Sequence, residues 1–317
     1  MSEPEKSVSP NWERQVLEKL ALSAIQEQRR SRQWGILFKT LGFLYLFIIL
    51  FLAAGWFGGD GVAIPKAHTA LVDLQGVIAS DQASADSVIG SLQNAFEDKK
   101  TKGVILRINS PGGSPVQAGQ IYDEIRRLRT LHPQTPLYAV VDDICASGGY
   151  YVAAGADRIF VDKASIVGSI GVLMDGFGFT QTMEKLGVER RLLTAGENKG
   201  FLDPFSPVDP EQQAFAKQML EEIHGQFIAV VREGRGKRLK ETPEMFSGLV
   251  WSGEKSIQLG LADGLGSVES VARDVIKAED IVDYTRQESL AERLAGRLGA
   301  TMAKAWTPFE KAGVVLR

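Results

Sequence analysis

Hydrophobic residues divide the chain into one uniformly apolar stretch and a longer region where short apolar runs alternate with helically spaced ones. Residues 40–57, TLGFLYLFIILFLAAGWF, carry no charge and can cross a bilayer core at about 1.5 Å per residue, with Trp34 and Trp56 near the ends as interfacial anchors. One transmembrane helix is predicted within 34–57. Ahead of it, in a polar segment 1–33, Val16, Leu17, Leu20, Leu22 and Ile25 fall at roughly helical spacing and predict a short amphipathic helix. A glycine-rich linker follows at 55–61.

Beyond the linker the rhythm is βαβ. AHTALVDLQGVIA (67–79) reads as a strand pair or a strand with a glycine break, and 85–98 as a helix with Val88, Ile89, Leu92 and Phe96 inward. GVILRIN (103–109), LYAVV (137–141) and RIFVD (158–162) read as strands, and 118–130 as a helix burying Ile121, Ile125 and Leu128. Such alternation predicts a parallel sheet with helical crossovers and function at the strand ends. Farther on come a glycine-punctuated apolar segment (165–177), a helix (179–187), a strand VERRLLTAG (188–196) and a long loop (196–210). A long helix is predicted from about 210 to 232, then a basic turn EGRGKR (233–238) read as a solvated loop, and a strand, helix and turn unit (247–268). From Ser289 the tail is amphipathic, with Leu290, Leu294, Leu298 and Met302 on one side, suited to docking on the domain, a neighbour or a membrane surface.

Charge adds orientation. Arg29, Arg30, Arg32 and Lys39 precede the apolar stretch and only Asp60 and Lys66 shortly follow it, so the N-terminus is expected in the cytoplasm and the large C-terminal part outside it, in a bacterial periplasm or its equivalent. A net charge of −3 gives no general reason to bind nucleic acid. Cys145 is the single cysteine, so no intramolecular disulfide forms, and His68, His132 and His224 lack metal-ligand spacing. No metal and no cofactor are expected.

The stretch 142–157, DDICASGGYYVAAGAD, concentrates the chemistry. An apolar run ends there in a small-residue turn bearing Ser147 and restarts as a short helix with Tyr150, Tyr151, Ala153 and Ala154 on one side. Free N–H groups and a positive dipole at that helix start would stabilise negative charge beside Ser147, as a nucleophile needs; the other reading is a plain N-cap. No histidine lies near a convincing loop for a Ser-His-Asp arrangement. Lys199, in a loop with Gly196, Phe201, Leu202, Pro204 and Phe205, has the apolar company that can lower an amine pKa and make it a base, although such a lysine is also an ordinary surface residue. Gly112 and Gly113, with Gly148, can present bare N–H groups to an oxyanion.

RINSPGGSP (107–115), ASGGYYVAAGAD (146–157), SIVGSIGV (165–172), TAGENKG (194–200) and WSGEKSIQLGLADGLG (251–266) stand in the order and spacing of the bacterial signal peptide peptidase A family, which the chain resembles over about 64–276. The resemblance implies an α/β Clp-protease/crotonase-like fold of repeated ββα units behind one N-terminal transmembrane helix. It also implies a dyad in which Ser147 attacks, Lys199 is the general base and Ser169 orients the lysine. A peptidase domain over 58–285 and a C-terminal segment over 286–317 complete the expected organisation. Peptide substrates, chiefly remnants of cleaved signal peptides, are implied, as is a homo-oligomeric ring in which adjacent protomers supply serine and lysine. Asn198 stands where the family often has an aromatic residue or histidine, and 200–207 departs from its pattern. Two other classes share some of these features: a crotonase-like acyl-CoA enzyme, which needs no serine nucleophile, and a catalytically idle membrane scaffold.

Overall fold

The structure, a computed structural model, describes residues 12–53 and 67–286. The linker at 55–61, Trp56 and the tail from Ser289 lie outside the described residues. The chain separates into two compact units, Met1–Ala63 and Ile64–Arg317.

The described part of the first unit is one helix, α1 (Trp12–Ala53). The short amphipathic helix and the apolar helix expected separately are therefore continuous; no proline interrupts the segment and good helix formers fill it. Within it Gln26–Phe51 holds an 18-residue stretch of mean hydropathy 2.0, and the helix is long and apolar enough there to cross a membrane.

In the second unit, β1 (His68–Gln75), α2 (Ala85–Glu97), β2 (Thr101–Ser110), α3 (Pro115–Leu131) and β3 (Leu137–Ala146) repeat the predicted alternation. Ser84 and Ser114 cap α2 and α3 through their hydroxyls, and Pro115 opens α3 where its missing N–H costs nothing. After β3 come α4 (Gly148–Ala153), β4 (Arg158–Val161), β5 (Ile166–Gly168), α5 (Thr180–Leu186), α6 (Pro210–Arg235), β6 (Val250–Ser252), α7 (Gly253–Gln258), β7 (Gly264–Leu265) and, near the end, β8 (Ile281–Asp283). Strand order along the main path is β6-β5-β3-β2-β1-β8, with β4 bridging β3 and β7. Every pairing is parallel except β5 with β6.

Both faces of the central strands are buried. Ala70, Val72, Leu74, Leu106 and Ile108 pack under α2 and α3, while the alternate residues Leu71, Ile105 and Val140 meet Phe160, Val268 and Val271 on the other side. On its edge away from β2, strand β3 serves two neighbours. Tyr138 to Val140 pair with β4, and Ile144 to Ala146 pair with β5. Between them the register with β2 jumps from Ile108↔Val141 to Ser110↔Cys145, so Asn109 faces three residues of β3. This bulge re-aims the end of β3, where Ser147 follows.

Two expectations fail. Residues 188–196 form no strand; they are exposed and have no partner strand among the described residues, without which a β pattern has nothing to pair with. The basic turn is not simply solvated, because α6 runs on to Arg235, whose side chain is 1% exposed, pairs with Asp263 at 2.8 Å and donates to the Gly260 carbonyl at 2.8 Å.

Candidate active site

Ser147 joins β3 to α4 with φ 51° and ψ −123°. A positive φ is uncommon for a residue with a Cβ and costs roughly 1–3 kcal/mol, so the surroundings must impose it. They do so from both sides: the Ser147 N–H donates to the Gly168 carbonyl (2.8 Å), and its own carbonyl accepts from the Tyr151 N–H (3.0 Å). Helix α4 is in turn anchored by the Tyr150 hydroxyl, which donates to the Leu261 carbonyl at 2.8 Å. The Ser147 hydroxyl makes no capping bond to α4, so the N-cap reading lapses.

The glycine loop lies directly beside it. A Cβ on Gly112, whose φ is 102°, would stand 2.7 Å from both the Gly148 nitrogen and the Ser147 Cβ, so only glycine permits the approach. The loop is clamped to Ile78: the Gly112 carbonyl accepts from the Ile78 N–H, and the Ser114 N–H donates to the Ile78 carbonyl, each at 2.8 Å. The Gly112 N–H is engaged by the buried Ser110 Oγ at 3.2 Å. By contrast, the N–H groups of Gly113 and Gly148 have no acceptor among the described residues.

Ser169 follows β5 and also has a positive φ, 50°, with its N–H donating to the Leu249 carbonyl at 2.8 Å. Ser147, Ser169, Gly113 and Gly148 line one cavity of about 570 Å³, walled by Pro115, Ala118, Tyr151, Leu173, Ile223 and Phe227. The structure thus brings together four of the six residues singled out in the sequence and places Gly112 just behind them.

Lys199 is not brought to this cavity. It is exposed, in a turn where its N–H donates to the Gly196 carbonyl (3.1 Å). The surrounding arm braces itself: Phe179 stacks on Phe205 at 5.4 Å, Arg190 pairs with Asp203 at 3.0 Å and lies over Phe205, and the Phe179 N–H donates to the Pro204 carbonyl at 2.7 Å. None of residues 171–215 is buried.

Other reactive groups stand apart. Cys145 is wholly buried, which pushes its thiol pKa up and keeps it protonated, in keeping with a small buried residue. His68 is fully buried against Tyr284 and Thr101, His132 closes α3, and His224 on α6 donates from Nε2 to the Ile170 carbonyl (3.2 Å). No histidine lines the cavity. The sequence reading did not single out Ile78, Ser110, Leu249, Ile223 or Phe227. Ile223 and Phe227 are four apart on α6 and look like any core stripe, and the Ile78 and Leu249 contacts are made by backbone that no side-chain motif announces.

The profile of peptidase family S49 matches residues 129–282. A putative protease of Synechocystis sp. is 30% identical over 258 residues, 76% of this chain and 91% of that one. A putative signal peptide peptidase SppA of Enterococcus faecium is 29% identical over 209 residues, 66% of this chain and 60% of that protein. A protein of Brucella abortus named Na(+)/H(+) antiporter NhaA is 47% identical over 190 residues, 60% of this chain; the chain spans 26% of that relative's length. The sheet with its helices has the Clp-protease/crotonase-like architecture that the motifs implied. By profile, by a relative matched over nearly its whole length, and by a serine set at a strand-to-helix elbow, the chain belongs to peptidase family S49, the family of signal peptide peptidase A.

Proposed function

We propose that this protein is a membrane-anchored serine endopeptidase that degrades cleaved signal peptides and other apolar peptides through an acyl-enzyme, with Ser147 and Lys199 as its dyad. The observation that carries the reading is the elbow itself: a serine at positive φ, its hydroxyl free of the helix, beside two N–H groups without acceptors. In the reaction, neutral Lys199 takes the proton of Ser147 Oγ as that oxygen attacks the peptide carbonyl. The N–H groups of Gly113 and Gly148 hold the oxyanion, while Gly112 provides the close approach. The carbon–nitrogen bond breaks as the lysine returns the proton to the leaving amine, and Lys199 then activates the water that releases the acyl group. Ser169 orients the lysine. The apolar cavity wall suits small apolar side chains of an extended peptide.

Because Lys199 stands outside the cavity of its own chain, a neighbouring copy in a homo-oligomeric ring supplies it. The exposed apolar arm supports that assembly: Leu193, Phe177 and Leu173 are 96%, 77% and 80% exposed. Helix α1 serves as the anchor, with 1–33 cytoplasmic, 34–57 spanning, the peptidase domain 58–285 outside the cytoplasm and 286–317 as an amphipathic C-terminal segment. Anchoring raises the encounter rate with peptides left in the membrane.

The test uses the detergent-solubilised full chain. A fluorophosphonate probe is expected to label Ser147, read as added mass on the peptide that contains it, and an unlabelled Ser147 would favour a crotonase-like or idle protein. Ser147→Ala and Lys199→Ala are each expected to lose about 10⁴-fold or more in turnover. Subunits of the two variants, dissociated and reassembled together, should regain about a quarter of parental activity, since half the sites keep the serine and half of those meet an intact lysine. Full activity of Lys199→Ala alone would overturn the dyad.

A further inference from the structure

Ser169 holds a backbone conformation that its own side chain disfavours, so whatever fixes that conformation fixes where its hydroxyl points. Before it, the Gly168 carbonyl accepts from the Ser147 N–H, and the Ser169 N–H donates to the Leu249 carbonyl, both at 2.8 Å. After it, Ile170 is fully buried, and its carbonyl accepts from Nε2 of His224 at 3.2 Å. Beyond Ile170 none of residues 171–215 is buried, so this part-buried bond holds the last buried residue before the chain leaves for the arm. His224 stands on the same stretch of α6 that sends Ile223 and Phe227 to the cavity wall.

We infer that His224 is a positioning residue: by holding the Ile170 carbonyl it locks Ser169 in its left-handed conformation and aims the Ser169 hydroxyl into the cavity shared with Ser147. This rests on the reading of Ser169 as the group that orients Lys199. The imidazole acts as a hydrogen-bond donor and takes no part in proton transfer, so any side chain that delivers an N–H to the same carbonyl should replace it. Glutamine places its amide nitrogen at about the reach of Nε2. Leucine fills the space without a donor.

The experiment compares His224→Leu and His224→Gln, each in the parental chain and in Ser169→Ala, in detergent-solubilised full-length protein whose oligomer size is checked. The expected result is a fall in kcat of about tenfold for His224→Leu with KM within about twofold, recovery to within about threefold for His224→Gln, and little further loss, under about twofold, when His224→Leu is added to Ser169→Ala. The acylation rate of Ser147 by the fluorophosphonate should follow kcat. Should the leucine variant fail to fold, His224→Asn, whose amide is too short to reach Ile170, takes its place. Parental kcat in His224→Leu, a glutamine variant as poor as the leucine one, or a full tenfold loss on top of Ser169→Ala would each overturn the inference. A fully active Ser169→Ala would instead overturn the role given to Ser169, which separates the two failures.

Discussion

The elbow around Ser147 and the arm around Lys199 are built on opposite plans. At the elbow each backbone turn is pinned by contacts from a different part of the chain: Gly168 holds Ser147, Ile78 holds the glycine loop, and Leu261 holds Tyr150. Buried side chains surround it on both sides of the sheet. The arm relies on ties among its own residues and turns large apolar side chains outward. The first arrangement is complete within one chain. The second has a defined local form but leaves apolar surface uncovered among the described residues, the surface that the proposed ring would cover.

That contrast can be broken at several points. The largest effect is expected at the elbow, where Gly112→Ala would drive a methyl group against the Ser147 Cβ and the Gly148 nitrogen. Turnover should fall by about 10²–10³-fold, as when an oxyanion donor is lost, measured as kcat/KM together with the rate of Ser147 labelling. Near-parental activity would mean that the loop does not shape the site.

Next comes the buried pair that supports the body of the domain. Burial works against the charge of Asp263, but the hydrogen bond and charge of Arg235, the Ile159 N–H and Arg238 outweigh it and hold the carboxyl below its ordinary pKa. A depressed folded pKa contributes stability that is full above the unfolded value of about 3.9 and is lost as pH falls through the folded value. Asp263→Asn leaves Arg235 buried without its counter-charge and should cost about 3 kcal/mol at pH 7 in urea unfolding, with a shallower loss below pH 4 than in the parent. Equal acid slopes in the two proteins would exclude the pair as the origin of that loss.

The smallest effect on the subunit itself is expected in the arm. Leu193→Glu, at a side chain 96% exposed, should change subunit stability by no more than about 0.5 kcal/mol yet reduce oligomer size and activity together, seen by light scattering in detergent. An intact, active oligomer would move the contact surface away from Leu193.

Much of this contrast was legible in the chain. Period identifies α2, α3 and the parallel strands, because the inward-facing Val88, Leu92, Ile121 and Ile125 obey a local rule that the tertiary structure then satisfies, whereas the caps Ser84 and Ser114 were not singled out. The elbow was legible as a serine after an apolar run, but its conformation was not: positive φ at Ser147 and Ser169 comes from carbonyls of Gly168 and Leu249, whose positions depend on distant pairings. Residues 188–196 misled because Val188, Leu192 and Leu193 set beside charged residues describe a surface that wants a partner, and a strand is only one such surface. Arg235 misled in the opposite sense. A run of basic residues suggests solvent, whereas the acidic partner that allows burial lies at Asp263, far along the chain.

The backbone at Ser147 has one further implication. Glycine would occupy the same φ and ψ without strain, so the architecture gains nothing from the serine it carries there. Variation screened for robustness alone would drift toward glycine at this position, and under the proposed mechanism a stabilised version obtained that way would no longer turn over. On the reading of Ser147 as the nucleophile, its hydroxyl answers a demand that folding does not make.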